Sequence, residues 1–271
     1  MTIGIDLGGT KIEVAKVNRD KIETTAEEAT DKNNILPQII RLVKKLAPYS
    51  RIGIGVPGQV REGMILLAPN LGIKNFPLKK ELEAALKVPV TVVNDVQAGA
   101  VGEAAYGAAK GNKRVLVAEL GTGIGGALLV EGQLLDGTAG EIGHMVIIQN
   151  GLPCPCGRKG CFEAYVGGWA IAQAGGLPSA KEVFETRQTE TIQKAYHALL
   201  TGLANLINLY NPDKILLGGS VTKGFNQFYP DFFNRLQKDL QKEALHAAQD
   251  FILAPSTLSN VIGAAALTNS G

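Results

Sequence analysis

The chain has 271 residues, 45% of them hydrophobic and 19% charged, with a formal net charge of +2; this is an ordinary globular mix with room for about two domains. The near-neutral balance supplies no basic field for nucleic acid and no acidic run that would hold a segment unfolded. No apolar run reaches the ~18 residues of a spanning helix, the first strand starts at Thr2 or Ile3 without room for a signal peptide, and the three cysteines form one cluster rather than a disulfide framework, so the expectation is a cytoplasmic protein with no membrane and no nucleic-acid partner.

Thr2 to Asp6 is a short apolar run, followed by Leu7-Gly8-Gly9-Thr10-Lys11 and a second apolar run from Ile12 to Val17. The pattern predicts strand, glycine turn, strand. Such a turn is either an ordinary hairpin or a loop whose backbone N–H groups approach an anion. Asp6, at the strand end, is placed to hold a magnesium ion through water. The G-x-x-x-x-G-K-[ST] loop is absent. Helical spacing over 34–47 (Leu36, Ile39, Ile40, Val43, Leu46) predicts a helix with Pro37 in its first turn. A buried strand follows over 52–56. The segment 66–72 reads as a loop that presents Asn70, and 78–87 as a short amphipathic helix. A strand over 89–93 runs directly into Asn94-Asp95. Ligands of open α/β sheets sit beyond the carboxyl ends of strands, where Asp95 can accept a hydroxyl proton. Its rival role is N-cap of the helix over 96–109.

Arg114 to Ala118 predicts a strand, Glu119 to Gly126 (ELGTGIGG) a glycine turn, and Ala127 to Val130 a strand. DLGGT at the start and ELGTG here form an internal repeat. Two such units suggest two related domains facing each other across one polyphosphate. Further on, Ser179 to Glu182 is a capping box, 191–210 a long core helix, and 214–217 a strand ending in Gly218-Gly219-Ser220, a turn able to take a ribose or base. Trp169 and its neighbours read as core. So does the amphipathic stretch 225–240 with its aromatic residues. A strand over 251–254 and a small-residue helix over 261–268 close the pattern. His197 and His246 lie on helical segments without a partner motif.

All three cysteines fall within GEIGHMVIIQNGLPCPCGRKGCFE (140–163). His144, Cys154, Cys156 and Cys161 form H-x9-C-x-C-x4-C. A Cys3His set fills one tetrahedral zinc shell and leaves no open position, which predicts a structural ion; the alternative is three unrelated thiols. Glu141 and His144 stand one helical turn apart, so the spacing lets them face one site. Glu163 follows the last cysteine by two residues.

Taken together, DLGGTK (6–11), VPG (56–58), APNLG (68–72), PVTVVND (89–95), GTGIGG (121–126), GEIGH (140–144), CPCGRKGCFE (154–163), NPD (211–213), LLGGS (216–220) and IGAAA (262–266) resemble the ROK family of sugar kinases. The resemblance covers nearly the whole chain. NLGIKNFPL (70–78) is most similar to the ATP-dependent glucokinases of that family, although Ile73 stands where many of them carry a larger aromatic residue. The resemblance implies a two-domain α/β protein of the actin-like ATPase (RNase H-like) fold, with an interdomain cleft and a zinc knuckle. The expected domains are 1–102 plus 258–271, and 103–257.

By the same resemblance, Asp95 matches the catalytic base that takes the proton from the sugar 6-hydroxyl. Asn70, Asn94, Glu141, His144 and Glu163 match sugar contacts. Gly8, Gly9, Thr10 and Lys11 match the first phosphate loop, Gly121, Thr122 and Gly123 the second, and Gly218 and Gly219 the nucleoside side. Asp6 matches the magnesium position, and His144, Cys154, Cys156 and Cys161 the zinc ligands. The implied partners are a hexose and ATP, with a homodimer as the assembly. The leading expectation is a glucose kinase. Kinases of N-acetylmannosamine, N-acetylglucosamine or fructose share the motifs, and a non-catalytic sugar-sensing regulator is the rival from another class. Family regulators carry a helix-turn-helix domain before DLGGT, which this sequence does not show.

Overall fold

The computed structural model describes residues 1–135, 140–245 and 248–269; His246 lies outside them. The first part of the chain runs β1 (Thr2–Leu7), β2 (Lys11–Asn18), β3 (Lys21–Ala29), α1 (Ile35–Lys45), β4 (Arg51–Val56), β5 (Gln59–Arg61), β6 (Met64–Ala68), β7 (Ile73–Phe76), α2 (Leu78–Leu86), β8 (Val90–Asn94) and α3 (Asp95–Tyr106). The rest runs β9 (Arg114–Leu120), β10 (Ile124–Val130), β11 (Gln133–Leu134), α4 (Glu163–Val166), α5 (Gly168–Gly175), α6 (Ala180–Glu185), α7 (Thr189–Tyr210), β12 (Lys214–Gly218), α8 (Gly219–Phe228), α9 (Phe232–Glu243), β13 (Ile252–Pro255) and α10 (Asn260–Ala266). No described helix is long and apolar enough to cross a membrane.

Two five-stranded sheets share one plan. Their orders are β3-β2-β1-β4-β8 and β11-β10-β9-β12-β13. In each, the central strand pairs antiparallel with its hairpin partner and parallel with the strand on its other side, and the next pair outward is again parallel. The repeat seen in DLGGT and ELGTG therefore extends to strand order and direction. A small antiparallel sheet, β5-β6-β7, is the third. By contact the chain divides into two compact units: Met1–Lys110 with Gly132–Ala139 and Thr257–Gly271, and Gly111–Glu131 with Gly140–Ser256.

The first unit is layered by strand alternation. Side chains at i and i+2 share a face. Ile3, Ile5 and Leu7 of β1 and Ile52, Ile54 and Val56 of β4 are fully buried, in one core with Ile39, Leu42 and Val43 of α1 and Leu78 and Leu82 of α2. The residues between them, Gly4, Gly53 and Gly55, line the opposite face. There α10 lies so close that a Cβ on Gly4 would strike the Val261 carbonyl, and one on Gly53 the Ala264 carbonyl. Gly102 of α3 and Gly263 of α10 meet in the same way, a Cβ on Gly102 coming 2.6 Å from the Gly263 Cα. The small-residue stretch near the end of the sequence is thus a close-packing helix, as its composition predicts. Gly53→Ala is expected to cost about 3 kcal/mol, because a backbone carbonyl cannot rotate away as a side chain would. Urea unfolding should show a lower midpoint at unchanged slope; an unchanged midpoint would mean that α10 can lift off the sheet freely.

In the second unit, α7 presents Ile192, Ala195, Tyr196, Leu199, Leu203 and Leu206 to a core shared with β9, β12, α8 and α9. The aromatic stripe is core as expected: Phe225 and Phe232 stack with centroids 5.6 Å apart, and Phe184 meets Phe225 edge-on at 5.1 Å. Gly202 lets the Phe162 ring seat against α7, where a Cβ would come 2.5 Å from the ring.

Four local readings need correction. The strand β3 was not anticipated; its residues KIETTAEEA are mostly exposed and carry no apolar alternation. It forms because β2 offers a full ladder, and its charges suit a sheet edge. Glu28 fastens it to α1 by accepting from the two terminal guanidinium nitrogens of Arg41, each 2.6 Å away. Residues 66–68 belong to β6, so the loop around Asn70 shrinks to one 3-10 turn, Pro69–Leu71. The stretch 225–240 is two helices, broken around Pro230, which has no N–H to continue the ladder. The turn in ELGTGIGG is also shorter, since β9 runs to Leu120 and β10 starts at Ile124.

Candidate active site

At the end of β8 the rivalry between base and cap resolves by one residue. Asn94, not Asp95, is the N-cap of α3. Its Oδ1 accepts from the N–H groups of Val96 (2.9 Å) and Gln97 (3.3 Å), and Gln97 Oε1 accepts from the Asn94 N–H, closing a capping box. Asn94 Nδ2 donates to the Gly58 carbonyl at 3.0 Å. The second hydrogen on that nitrogen is what the amide has left for another acceptor. Asp95 is the first helical residue, and its Oδ1 accepts from the Val96 N–H at 2.9 Å. Gly55 admits the first turn of α3, with 3.2 Å from its would-be Cβ to the Asp95 Cα. Burial pushes the Asp95 carboxyl up to about 6, and the Asp6 carboxylate adds to the rise.

Asp6 is on β1, where Asn260 Nδ2 donates to its Oδ2 at 3.2 Å. Burial raises its carboxyl too, against that hydrogen bond. The Lys11 ammonium is engaged elsewhere, 2.6 Å from Glu27 and 3.5 Å from Glu13. Two carboxylates in each other's field, beside a lysine already paired, make a site short of positive charge. That donor set fits a hard divalent cation.

The turn after β1 is both a hairpin and an N–H cradle. Gly8 N–H closes it on the Lys11 carbonyl at 2.9 Å. Thr30 takes up two of its carbonyls, Gly8 O through the hydroxyl (2.7 Å) and Thr10 O through the N–H (2.9 Å). No acceptor among the described residues faces the N–H of Gly9 or Thr10. Asn70 abuts this turn, with its carbonyl 3.2 Å from where a Gly9 Cβ would stand.

The second glycine turn repeats the device. Gly121 N–H bonds to the Gly123 carbonyl at 3.0 Å, while Gly168 and Trp169 N–H groups take the carbonyls of Gly121 (2.9 Å) and Thr122 (3.2 Å). With its carbonyls held, the turn keeps the N–H groups of Thr122 and Gly123 without an acceptor among the described residues. Gly218-Gly219-Ser220 is not a plain turn but a strand-to-helix junction. Gly219 has φ +88° against the Leu120 backbone, and Gly218 lies against the Glu119 carboxylate. A Cβ at Gly218 would push the Glu119 carboxylate aside, whereas one at Gly219 would strike the backbone of Leu120.

The four candidate ligands of the knuckle come together. The candidate ligand atoms of His144, Cys154, Cys156 and Cys161 all lie within 4.8 Å of one another. Cys156 Sγ is 3.6 Å from Cys161 Sγ, and Cys154 Sγ is 3.7 Å from His144 Nδ1. A regular tetrahedron with Zn–S near 2.3 Å has edges of about 3.8 Å, so the set fits zinc. Cys154 and Cys161 are buried and Cys156 is exposed. The Arg158 N–H, first among several hydrogen bonds, holds the Cys156 thiol below its usual range, toward thiolate. Backbone bonds Cys154 N–H to Arg158 O (2.9 Å) and Gly160 N–H to Leu152 O (2.8 Å) shape the loop.

Two carboxylates adjoin the knuckle. Glu141 precedes the one-turn helix Ile142–His144, and its Oε2 is 3.6 Å from His144 Nε2. His144 therefore offers one nitrogen to the thiols and the other to a carboxylate, the usual outer partner of a metal-binding histidine. Burial raises the Glu141 carboxyl, with Glu163 adding to the rise and His144 opposing it. Glu163 Oε2 accepts from the Ile124 N–H at 2.7 Å, and Oε1 from the Trp169 indole N–H at 3.1 Å. The structure thus gathers Glu141, His144, Glu163 and the knuckle around one place, and Asp6, Asn94 and Asp95 around another. Trp169 was not anticipated here; a lone tryptophan in an apolar run gives no sign that its N–H meets a carboxylate. His197 is exposed on α7.

Comparison with known proteins adds lineage to geometry. A glucokinase of Halalkalibacterium halodurans is 34% identical over 271 aligned residues, covering 82% of this chain and 80% of that one. An N-acetyl-D-glucosamine kinase of Photobacterium profundum is 30% identical, covering 89% of this chain and 90% of that one. The crystal structure of a ROK family glucokinase from Streptomyces griseus in complex with glucose and AMPPNP superimposes with a TM-score of 0.82 at 27% identity, over 100% of this chain and 99% of that one. The doubled sheets of this chain are the actin-like ATPase fold. Residues 2–270 match the family profile itself, and on that match, joined to the strand-end aspartate, the paired glycine turns and the Cys3His knuckle, the chain belongs to the ROK family.

Proposed function

We propose that this protein is an ATP-dependent hexose kinase that makes a sugar 6-phosphate, with glucose as its preferred acceptor. The observation that carries the reading is Asp95: a carboxyl at a strand end, relieved of capping by Asn94, and raised by burial to about 6, which is the range of a general base working near neutrality. The matching glucokinases support glucose as the acceptor.

In this reading Asp95 accepts the proton of the sugar 6-hydroxyl as that oxygen attacks the γ-phosphorus of ATP. Phosphoryl transfer asks for positioning and charge stabilisation rather than covalent help. The N–H groups of Gly9, Thr10, Thr122 and Gly123 are donors of the kind that stabilise phosphate oxygens, with Gly8, Lys11 and Gly121 completing the turns and Gly218 and Gly219 serving the nucleoside. A magnesium ion held by Asp6 would supply the positive charge the phosphates need. Asn70, Asn94, Glu141, His144 and Glu163 would bond the sugar hydroxyls. Zinc on His144, Cys154, Cys156 and Cys161 would close a four-ligand structural shell. A homodimer acting in the cytoplasm completes the proposal on family grounds, and sedimentation equilibrium tests the assembly.

A coupled ADP-release assay over glucose, fructose, N-acetylmannosamine and N-acetylglucosamine, compared by kcat/KM, is expected to rank glucose first. A higher value for an acetamido sugar would change the acceptor and keep the enzyme class. Sugar binding without ADP release, for every sugar tried, would replace the kinase by a sensor.

A further inference from the structure

Trp169 is the single tryptophan of the chain, and three parts of the second unit converge on it. Its indole N–H donates to Glu163 Oε1 at 3.1 Å. Its backbone N–H donates to the Thr122 carbonyl at 3.2 Å, within the second glycine turn. Its ring packs against the buried cluster of Cys154, Cys161 and Ala164 in the knuckle. A ring serving only to fill space would not need its one polar atom aimed at a carboxylate, since Phe fills a similar volume.

The effect falls on Glu163. With Ile124 N–H on one oxygen and the indole N–H on the other, the rotation of the carboxylate is fixed. Gly123 and Gly167 crowd it from the sides: a Cβ on Gly123 would strike the carboxylate, and one on Gly167 would come 2.8 Å from the Glu163 Cγ. Each oxygen keeps a lone pair for a hydroxyl. Remove the indole donor and one oxygen loses its partner while the other stays tethered, so the carboxylate can swing about the Ile124 bond.

We propose that Trp169 is a positioning residue for the acceptor sugar, orienting Glu163 toward the hexose while tying that carboxylate to the metal knuckle and the phosphate turn. This rests on the kinase reading above. It makes the indole a natural reporter, since both hexose and knuckle metal alter its surroundings.

The test pairs spectroscopy with kinetics. Glucose added to the wild-type protein without nucleotide is expected to change tryptophan emission saturably. Trp169→Phe keeps an aromatic ring and removes only the donor; it is expected to raise the glucose KM about tenfold, the usual cost of losing a hydrogen bond to a charged group, with the ATP KM within about twofold and zinc content unchanged. A general loss of structure would not spare the ATP KM. A folded variant whose glucose KM stays within about twofold of wild type overturns the proposal. Should the variant fail to fold, the wild-type emission decides: a saturable response to glucose upholds the role, and no response overturns it. Wild-type turnover is measured in parallel; its absence on every sugar removes the kinase reading and this role with it, whereas turnover with an unchanged variant KM removes only the role of Trp169.

Discussion

Asp95→Asn is expected to lower kcat about a thousandfold, the middle of the range for losing a general base, while the glucose KM moves little. The amide keeps the shape of the side chain and can still accept the Val96 N–H, but it cannot take a proton. Because burial already disfavours the charged carboxylate, the variant loses that penalty, and its Tm should hold or rise. A drop in both kcat and Tm would instead mark Asp95 as structural. The pH dependence follows the same group with a definite sign. The base works ionised, so wild-type kcat/KM should fall tenfold per pH unit below about 6 and level off above it. Asp6 contributes to the rise, so Asp6→Asn should move that limb to lower pH. Near-normal turnover in Asp95→Asn would sink the assignment of the base.

The second large effect is expected from the knuckle. Removing a structural zinc takes away folding energy directly, and if Glu163 contacts the hexose as proposed, the loss would reach the sugar. Cys161 is a candidate ligand, Phe162 is fully buried beneath α7, and Glu163 follows at once. Cys156→Ser opens the exposed corner of the set; Cys161→Ser opens the buried one. Both should lower zinc content below one ion per chain, and both should reduce Tm and raise the glucose KM by about 10- to 100-fold, the scale at which outer partners of metal sites act. The effect should be larger for Cys161→Ser. Metal analysis, melting curves and sugar kinetics on the same samples check this. If Cys156→Ser loses zinc yet keeps a normal glucose KM, the knuckle is structural and nothing more.

What could be read from the sequence, and what could not, divides by range. DLGGT and ELGTG announced two related sheets, because a glycine turn between strands is a local property that survives in the letters. The Cys3His spacing announced the knuckle for the same reason. The glycine-lined face of β1 and β4 was present as Ile-Gly alternation, but the helix it receives lies some two hundred residues away. The strand β3 hid because its pairing with β2 supplies the order that its own charged residues do not. The break near Pro230 was legible and overlooked beneath a continuous amphipathic stripe. At Asn94-Asp95 the letters left cap and base open because both residue types cap well, and only the observed donors place the cap on Asn94. Trp169 depended on a hydrogen bond to a side chain six positions earlier, which no periodicity encodes.

The seat of α10 on the glycine face also sets an order of events in the making of the protein. Residues 1–110 emerge first, yet the face formed by Gly4 and Gly53 waits for Asn260–Ala266, which are made only after the whole of the other unit. At ordinary translation speeds that interval is on the order of ten seconds. Throughout it the glycine face of the first sheet is covered only where α3 reaches Gly55, so the nascent chain must tolerate an unfinished domain while a complete one folds behind it. Glycine is a forgiving surface for that wait, because it offers passing chains little apolar area to grip.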